Sequence, residues 1–311
     1  MAEYELDPGK IHFRWNNVLY PALCIRPGDT VSCWAQEVSN AAITPDSVAE
    51  DLAKESFDFC YPLAGPIYIE GAKPGDALDI EILELEPDDW GWNGIPPGIG
   101  LLAEDFPGPY LKHWDLSNGK TTEFRPGIVV PLEPFIGTMG VASAEPGELR
   151  VTPPGNFGGN IDIRHLNVGS RLLLPVQVEG ALFSAGDCHA VQGDGEVCVA
   201  IECPMSFTLR FNLQENANLP APQFWTRKRA PISDHDTDEG YFVTTGVGPD
   251  LMENSKNAVR AMVDWLVANH DLTPEEAYVL GCTVVDLRIS EIVNRPNWIV
   301  SAYLPLGIFK H

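Results

Sequence analysis

After the turn Pro74-Gly75-Asp76, Leu78, Ile80 and Ile82 alternate with Asp79 and Glu81. A two-residue period puts the aliphatic side chains on one face of a strand and the acidic ones on the other. The same Pro-Gly-Asp device at Pro27-Gly28-Asp29 precedes a second β-prone run at Thr30-Val31. The 28 glycines and 27 prolines are scattered through the 311 residues rather than gathered in one linker, so they punctuate many short strands. Further strand-like runs lie at 127–132, 171–178, 196–202, 282–287 and 298–303. Pro175 places its strand at an edge or a bulge. Helical spacing is confined to a short stretch at 46–53, a long one at about 252–269, and a third opening at Thr273-Pro274 and closing at Gly281. The expectation is a mainly β chain with an α+β C-terminal part, β-sandwich-like with a few helices. It reads as a single unit over 1–311, with a β-rich portion at 1–215 and an α+β closing portion at 216–311. Without βαβ alternation, a GxGxxG turn or a P-loop, a dinucleotide-binding Rossmann fold is excluded.

Charge removes further classes. With 44 acidic residues against 20 Lys plus Arg, the formal charge is −24. Such a field repels nucleic acid and anionic membrane surfaces, and neither is expected as a partner. No apolar run reaches the ~18 residues that span a bilayer, and the N-terminus reads as acidic without a secretory h-region. The 7 cysteines form no CxxC pair, which fits reduced thiols in the cytoplasm. The run Asp234-His235-Asp236-Thr237-Asp238-Glu239 lacks the Gly and distal Glu of an EF-hand loop and reads as a solvated acidic loop.

The densest polar information lies between residues 153 and 204. Asp194-Gly195 signals a two-residue type I′ hairpin turn, a register that sets Asp187 opposite Glu202 and His189 opposite Ala200. Asp187 and His189 then share a face with Glu202, while Val197, Val199 and Ile201 face a core. On a straight strand Glu196 stands about 20 Å from Glu202, too far for one ion. An Asp/His/Glu patch with an open side suits Zn²⁺ or another divalent cation. Asp162, in Asn160-Ile161-Asp162, adds a carboxylate from a neighbouring strand. Spacing alone leaves a second reading open, in which these polar residues cap turns and satisfy backbone groups.

These residues resemble the acetamidase/formamidase family. The matching segments are GGNID at 158–162, GALFSAGDCHAVQGDGE at 180–196, AIE at 200–202 and GPIYIEGAKPGDALDIEIL at 65–83. The resemblance extends from about residue 12 to the C-terminus. It implies a largely β fold, a divalent metal, hydrolysis of a short linear amide to carboxylate and ammonia, and a homodimer or larger homo-oligomer. Three positions depart from the family pattern: Phe157 replaces a His before GGN, Glu37 replaces an Asp, and Glu291 replaces a Gln. The family carries a His in its N-terminal strand, here His12, and Cys188 stands at a variable position.

In the amidase reading Asp187, His189 and Glu202, with Asp162, hold the metal, Zn²⁺ first and Ca²⁺ or Mg²⁺ as alternatives. Glu196 or Asp194 is the general base. Asn160 and the backbone N–H groups around Gly158-Gly159 hold the oxyanion. The alternative, motivated by the three departures, is a metal-stabilised member of the same fold that binds a small ligand without turnover.

Overall fold

The run after Pro74-Gly75 is the interior strand Ala77–Pro87, and its neighbours explain the alternation. Ile80 pairs with Leu172 on one side and Phe211 on the other, both fully buried. Asp79, expected on a polar face, is buried as well, because Arg171 grips both its oxygens and Gln214 donates to it at 3.0 Å. The structure, a computed structural model, describes residues 1–54, 60–228, 238–270 and 272–309. Residues 234–237 of the acidic run lie outside the described residues.

Ala77–Pro87 belongs to a nine-stranded sheet. Its order is Glu3–Glu5, Thr30–Ala35, Met205–Gln214, Ala77–Pro87, Arg171–Pro175, Gln223–Trp225, Tyr241–Gly248, Trp298–Pro305 and Asp286–Glu291. Strands from both sequence portions therefore share one sheet. Pro175 is the last residue of its strand, beyond the reach of Gln223–Trp225, which pairs only with residues 171–173. The missing N–H of proline thus falls where no partner needs it.

A six-stranded sheet carries the polar segment. Phe183–His189 runs antiparallel between Phe135–Gly140 and Leu63–Ile69, with Gly158–Asn160 beyond the first and Ile11–His12 beyond the second. Leu23–Ile25 pairs parallel to Leu63–Ile69. The two sheets share one core, in which Phe183 of one meets Phe211 of the other edge to face at 5.1 Å. Every residue of Phe183–His189 is buried, so its polar side chains need partners inside the protein.

Helix Leu251–His270 lies on the nine-stranded sheet, packing Ala258, Met262 and Leu266 against Phe242, Ala302 and Leu304. The next helix does not end at Gly281; it spans Pro274–Val284, and the strand expected at 282–287 begins at Asp286. Gly281 costs the helix roughly 1 kcal/mol, but Leu280 and Val284 still pack on the same cluster, and that burial wins. Among the described residues no helix is long and apolar enough to cross a membrane.

The largest correction concerns 190–202. Asp194-Gly195 does sit in a turn, closed by the Glu196 N–H on the Gly193 carbonyl at 3.2 Å. Positive φ occurs at Gly195 (95°) and Glu196 (42°) and not at Asp194, so the turn is not type I′. The Gly195 N–H is drawn sideways onto the Ser290 carbonyl at 3.1 Å, and 196–202 is not a strand. Pairing starts only where Ala190 donates to Ile201 at 2.8 Å, which sets His189, rather than Asp187, opposite Glu202. The register has slipped by two residues, and an even slip keeps each side chain on its face.

Candidate active site

Each polar side chain of the site is held by backbone it does not control. Asp187 and Asp162 adopt φ of 55° and 44°, in the left-handed region that few residues other than glycine, asparagine and aspartate enter. For Asp162 the surroundings are visible: its N–H and that of Ile161 both converge on the Gly137 carbonyl at 3.1 Å. Position 137 must be glycine. A Cβ there would lie 2.5 Å from Asp162 Oδ1 and 2.7 Å from His189 Cε1. Glu202 is fixed by a reciprocal pair with Trp92, N–H to carbonyl at 2.8 and 2.9 Å.

The imidazole of His189 stands between two acidic groups. Its Nε2 lies 3.2 Å from Glu202 Oε1 and 3.4 Å from Asp187 Oδ1, and its Nδ1 lies 3.9 Å from Asp162 Oδ1. Two constellations result, Asp187/His189/Glu202 and Asp162/His189/Glu196, each with its ligand atoms within 4.8 Å of one another. Asp162 Oδ1, His189 Nδ1, Glu196 Oε2 and Glu202 Oε2 are buried and have no hydrogen-bond partner. Proteins leave few such atoms unsatisfied, and a carboxylate–imidazole set with spare lone pairs is the donor set of a divalent cation. The residues present therefore fit the implied metal.

The electrostatics agree. Burial pushes the Glu202 and Glu196 carboxyls up to about 8, with Asp187 adding repulsion and His189 opposing it. Burial, then Glu196 and Asp187, raises Asp162 well above the carboxylate range. For His189 burial disfavours the charge, but Glu202 and Asp187 outweigh it and raise the imidazole well above its ordinary value. The raised carboxyls and imidazole mean that the cluster holds protons that a cation at this site would displace.

Other residues brace the ligands. Thr138 Oγ1 lies 2.6 Å from Asn160 Oδ1 and 3.1 Å from Asp187 Oδ2. Asn294 donates to Asp162 Oδ2 at 2.6 Å, and Gln192 to the Asp162 carbonyl at 2.9 Å. Local sequence carries no signal for Asn294 or Gln192, because their partner lies 132 and 30 residues away. Tyr61 is a further residue that spacing missed. It lines the cavity above the cluster, and burial, then Asp187 and Glu196, raises its phenol so that it keeps its proton.

The fold thus gathers Asp162, Asp187, His189 and Glu202, and it adds Glu196. The 20 Å separation required a straight strand; the turn at 193–196 bends Glu196 back to the cluster instead. Asn160 stands behind Asp187 and does not line the cavity, and Gly158 spends its N–H on the Gly155 carbonyl at 3.1 Å. Asp194 is drawn away to Arg288 at 3.2 Å and lies 3.9 Å from His165. His12 donates or accepts at Ser184 Oγ, 2.7 Å away, outside both constellations. Burial pushes the Cys188 thiol far up, as suits a core residue rather than a nucleophile.

Asp187, Glu196 and Glu202 form the floor of a cavity of about 330 Å³, walled by Ile43, Leu52, Trp92, Ile99 and Val199. Beside the cavity a ribbon pairs Trp90–Ile95 antiparallel with Tyr110–Asp115. Its tip at 96–100 closes one side of the cavity. A larger groove of about 650 Å³ between the two C-terminal helices shares no residue with the cluster.

Residues 2–149 and 146–311 match the model of the acetamidase/formamidase family. The chain belongs to this family. It is 26% identical to a formamidase of Methylophilus methylotrophus, over 97% of this chain and 90% of that protein. It is 30% identical to an acetamidase of Mycolicibacterium smegmatis over 61% of this chain and 63% of that one. An acetamidase structure from Bacillus halodurans superposes with a TM-score of 0.88 at 30% identity, covering 98% of each chain. A γ-lactamase of Delftia acidovorans gives 0.68 at 25% identity, covering 99% of this chain and 94% of that one.

The three departures from the family pattern each have a structural role. Phe157 packs edge to face on Trp15 at 5.6 Å. Glu37 is fully buried and accepts from Ser39, Ala41 and the Trp92 indole, tying a turn to the residue that pins Glu202. Glu291 accepts the N–H groups of Val293 and Asn294, and so aims Asn294 at Asp162. None of the three replaces a member of either constellation.

Proposed function

We propose that this member of the acetamidase/formamidase family hydrolyses a linear amide to a carboxylate and ammonia, using a divalent cation held by Asp187, His189 and Glu202. The observation that supports it is the convergence of these three buried side chains, with His189 Nδ1 and Glu202 Oε2 unpartnered, beside a small cavity that Asp187 and Glu202 line. A cation held there would polarise the amide carbonyl and lower the pKa of water. Zn²⁺ suits the mixed carboxylate–imidazole set best, with Ca²⁺ and Mg²⁺ next.

The chain's own groups supply the rest. Glu196 lines the floor with a free Oε2 and serves as general base, taking a proton from the attacking water and delivering it to the leaving nitrogen. Tyr61, which keeps its proton, donates a hydrogen bond to the oxyanion of the tetrahedral intermediate. Asp162 faces the other ring nitrogen and sets the orientation of His189, while Asn160 steadies Asp187 through Thr138. The same reading places the enzyme in the cytoplasm, where its six described free cysteines stay reduced, as a homodimer or larger assembly.

The test is ammonia release from formamide, acetamide and propionamide by protein supplied with Zn²⁺, Ca²⁺ or Mg²⁺. Turnover of one of them supports the reading. Metal bound without ammonia from any of them overturns it in favour of a ligand-binding member of the fold.

A further inference from the structure

The cavity over the cluster has a second end. Among the described residues that line it the only cationic side chains are Arg150 and Arg295, both exposed at the rim. Six of the eleven described arginines, Arg26, Arg171, Arg210, Arg227, Arg260 and Arg288, each form an ion pair with a carboxylate, whereas Arg14, Arg125 and Arg164, which do not line this cavity, form none. Neither rim guanidinium hydrogen-bonds or ion-pairs with a described residue, although the chain carries 44 acidic side chains to choose from. Both backbones are nonetheless anchored. Arg150 follows Leu149, which exchanges two hydrogen bonds with Trp15 at 2.9 and 3.0 Å. Arg295 donates its N–H to Val293 at 3.0 Å, in the turn that aims Asn294 at Asp162.

The walls include the aliphatic Val38, Ile43, Ile99 and Val199, beside Ser39, Tyr61, Trp92 and Thr152. A volume of about 330 Å³ is far more than formamide or acetamide fills. We propose that the preferred amide carries a carboxylate at its remote end, held by Arg150 and Arg295: a monoamide of a short, unbranched dicarboxylic acid. The proposal rests on the amide-hydrolysis reading and adds its specificity. The guanidinium fork matches a carboxylate in planar, bidentate fashion. In a molecule of formal charge −24, two cations lining the cavity offset the field that otherwise repels an anionic substrate.

The test compares kcat/KM for glutaramate and for neutral pentanamide, in the wild type and in R150Q, R295Q and the double variant, all with added Zn²⁺. The wild type is expected to favour glutaramate by about tenfold or more, and each single variant to reduce that ratio by about tenfold. A wild-type ratio at or below one, or variants that keep the ratio, overturns the proposal and leaves amide hydrolysis standing. Calorimetric binding of glutarate, which is not turned over, provides a readout without catalysis. If no amide is hydrolysed, glutarate binding that disappears in the double variant still upholds the arginine site, and absence of glutarate binding by the wild type overturns it.

Discussion

His189 faces Glu202 across a two-residue bridge, with Nε2 3.2 Å from Oε1, and the same ring presents Nδ1 to Asp162 at 3.9 Å. One imidazole thus links two carboxylate groups that the chain delivers from different strands and loops. Removing the ring separates both constellations at once. H189A is expected to lose bound metal and at least about 100-fold of any amidase activity while remaining folded. Metal analysis beside circular dichroism checks this; full metal content in H189A would contradict it.

Gly137 tests how tightly the cluster is built. G137A introduces a methyl into space already taken by Asp162 Oδ1 and His189 Cε1. Overpacking of this kind costs about 1–3 kcal/mol. The expected outcome is a lower unfolding midpoint in denaturant together with weakened metal retention. An alanine that leaves both unchanged would show that the cluster adjusts freely.

Much of this arrangement was legible in the alternation of residues, and the reason is parity. Asp187, His189 and Glu202 share a face in any register that differs by an even number, so their convergence survives the change of turn type. What was hidden depends on distant chain. The Gly195 N–H goes to Ser290, which cancels the hairpin and bends Glu196 into the site. Asn294 reaches Asp162 across 132 residues, and Tyr61 arrives from the strand edge beside Leu63. None of these long-range choices leaves a periodic trace. The C-terminal helix was misjudged for a related cause, since packing of Val284 outweighed the local preference of Gly281 to end it.

Asn294 braces the cluster without lining up as a ligand. N294L removes the donor at 2.6 Å from Asp162 Oδ2 and leaves a buried carboxylate unsatisfied. About 10–100-fold weaker metal binding is expected, with N294D no better than N294L because a second carboxylate repels the first. Titration of the metal-free protein with Zn²⁺ measures this, and an unaltered affinity in both variants would refute it.

Acid sensitivity has a source outside the carboxylate cluster. Burial pushes His12 down to about 4 from 6.5, against a hydrogen bond to the Arg14 carbonyl that favours the charged ring. Between these values the unfolded chain binds a proton that the folded chain refuses, so stability falls as pH drops from 6.5 to 4 and this contribution falls no further below. His165 behaves alike: burial holds it at about 4 despite the attraction of Asp194. In H12Q the decline of unfolding free energy over this window is expected to be shallower than in the wild type. Identical slopes would mean that His12 titrates normally in the folded state.

The most direct measurement is ammonia release from acetamide before chelation, after chelation, and after Zn²⁺ is restored, with metal content followed throughout. Activity that disappears with the metal and returns with Zn²⁺ in the wild type, but not in E202Q, is the result expected of a cation held by Asp187, His189 and Glu202. Undiminished ammonia release from metal-free protein would contradict it.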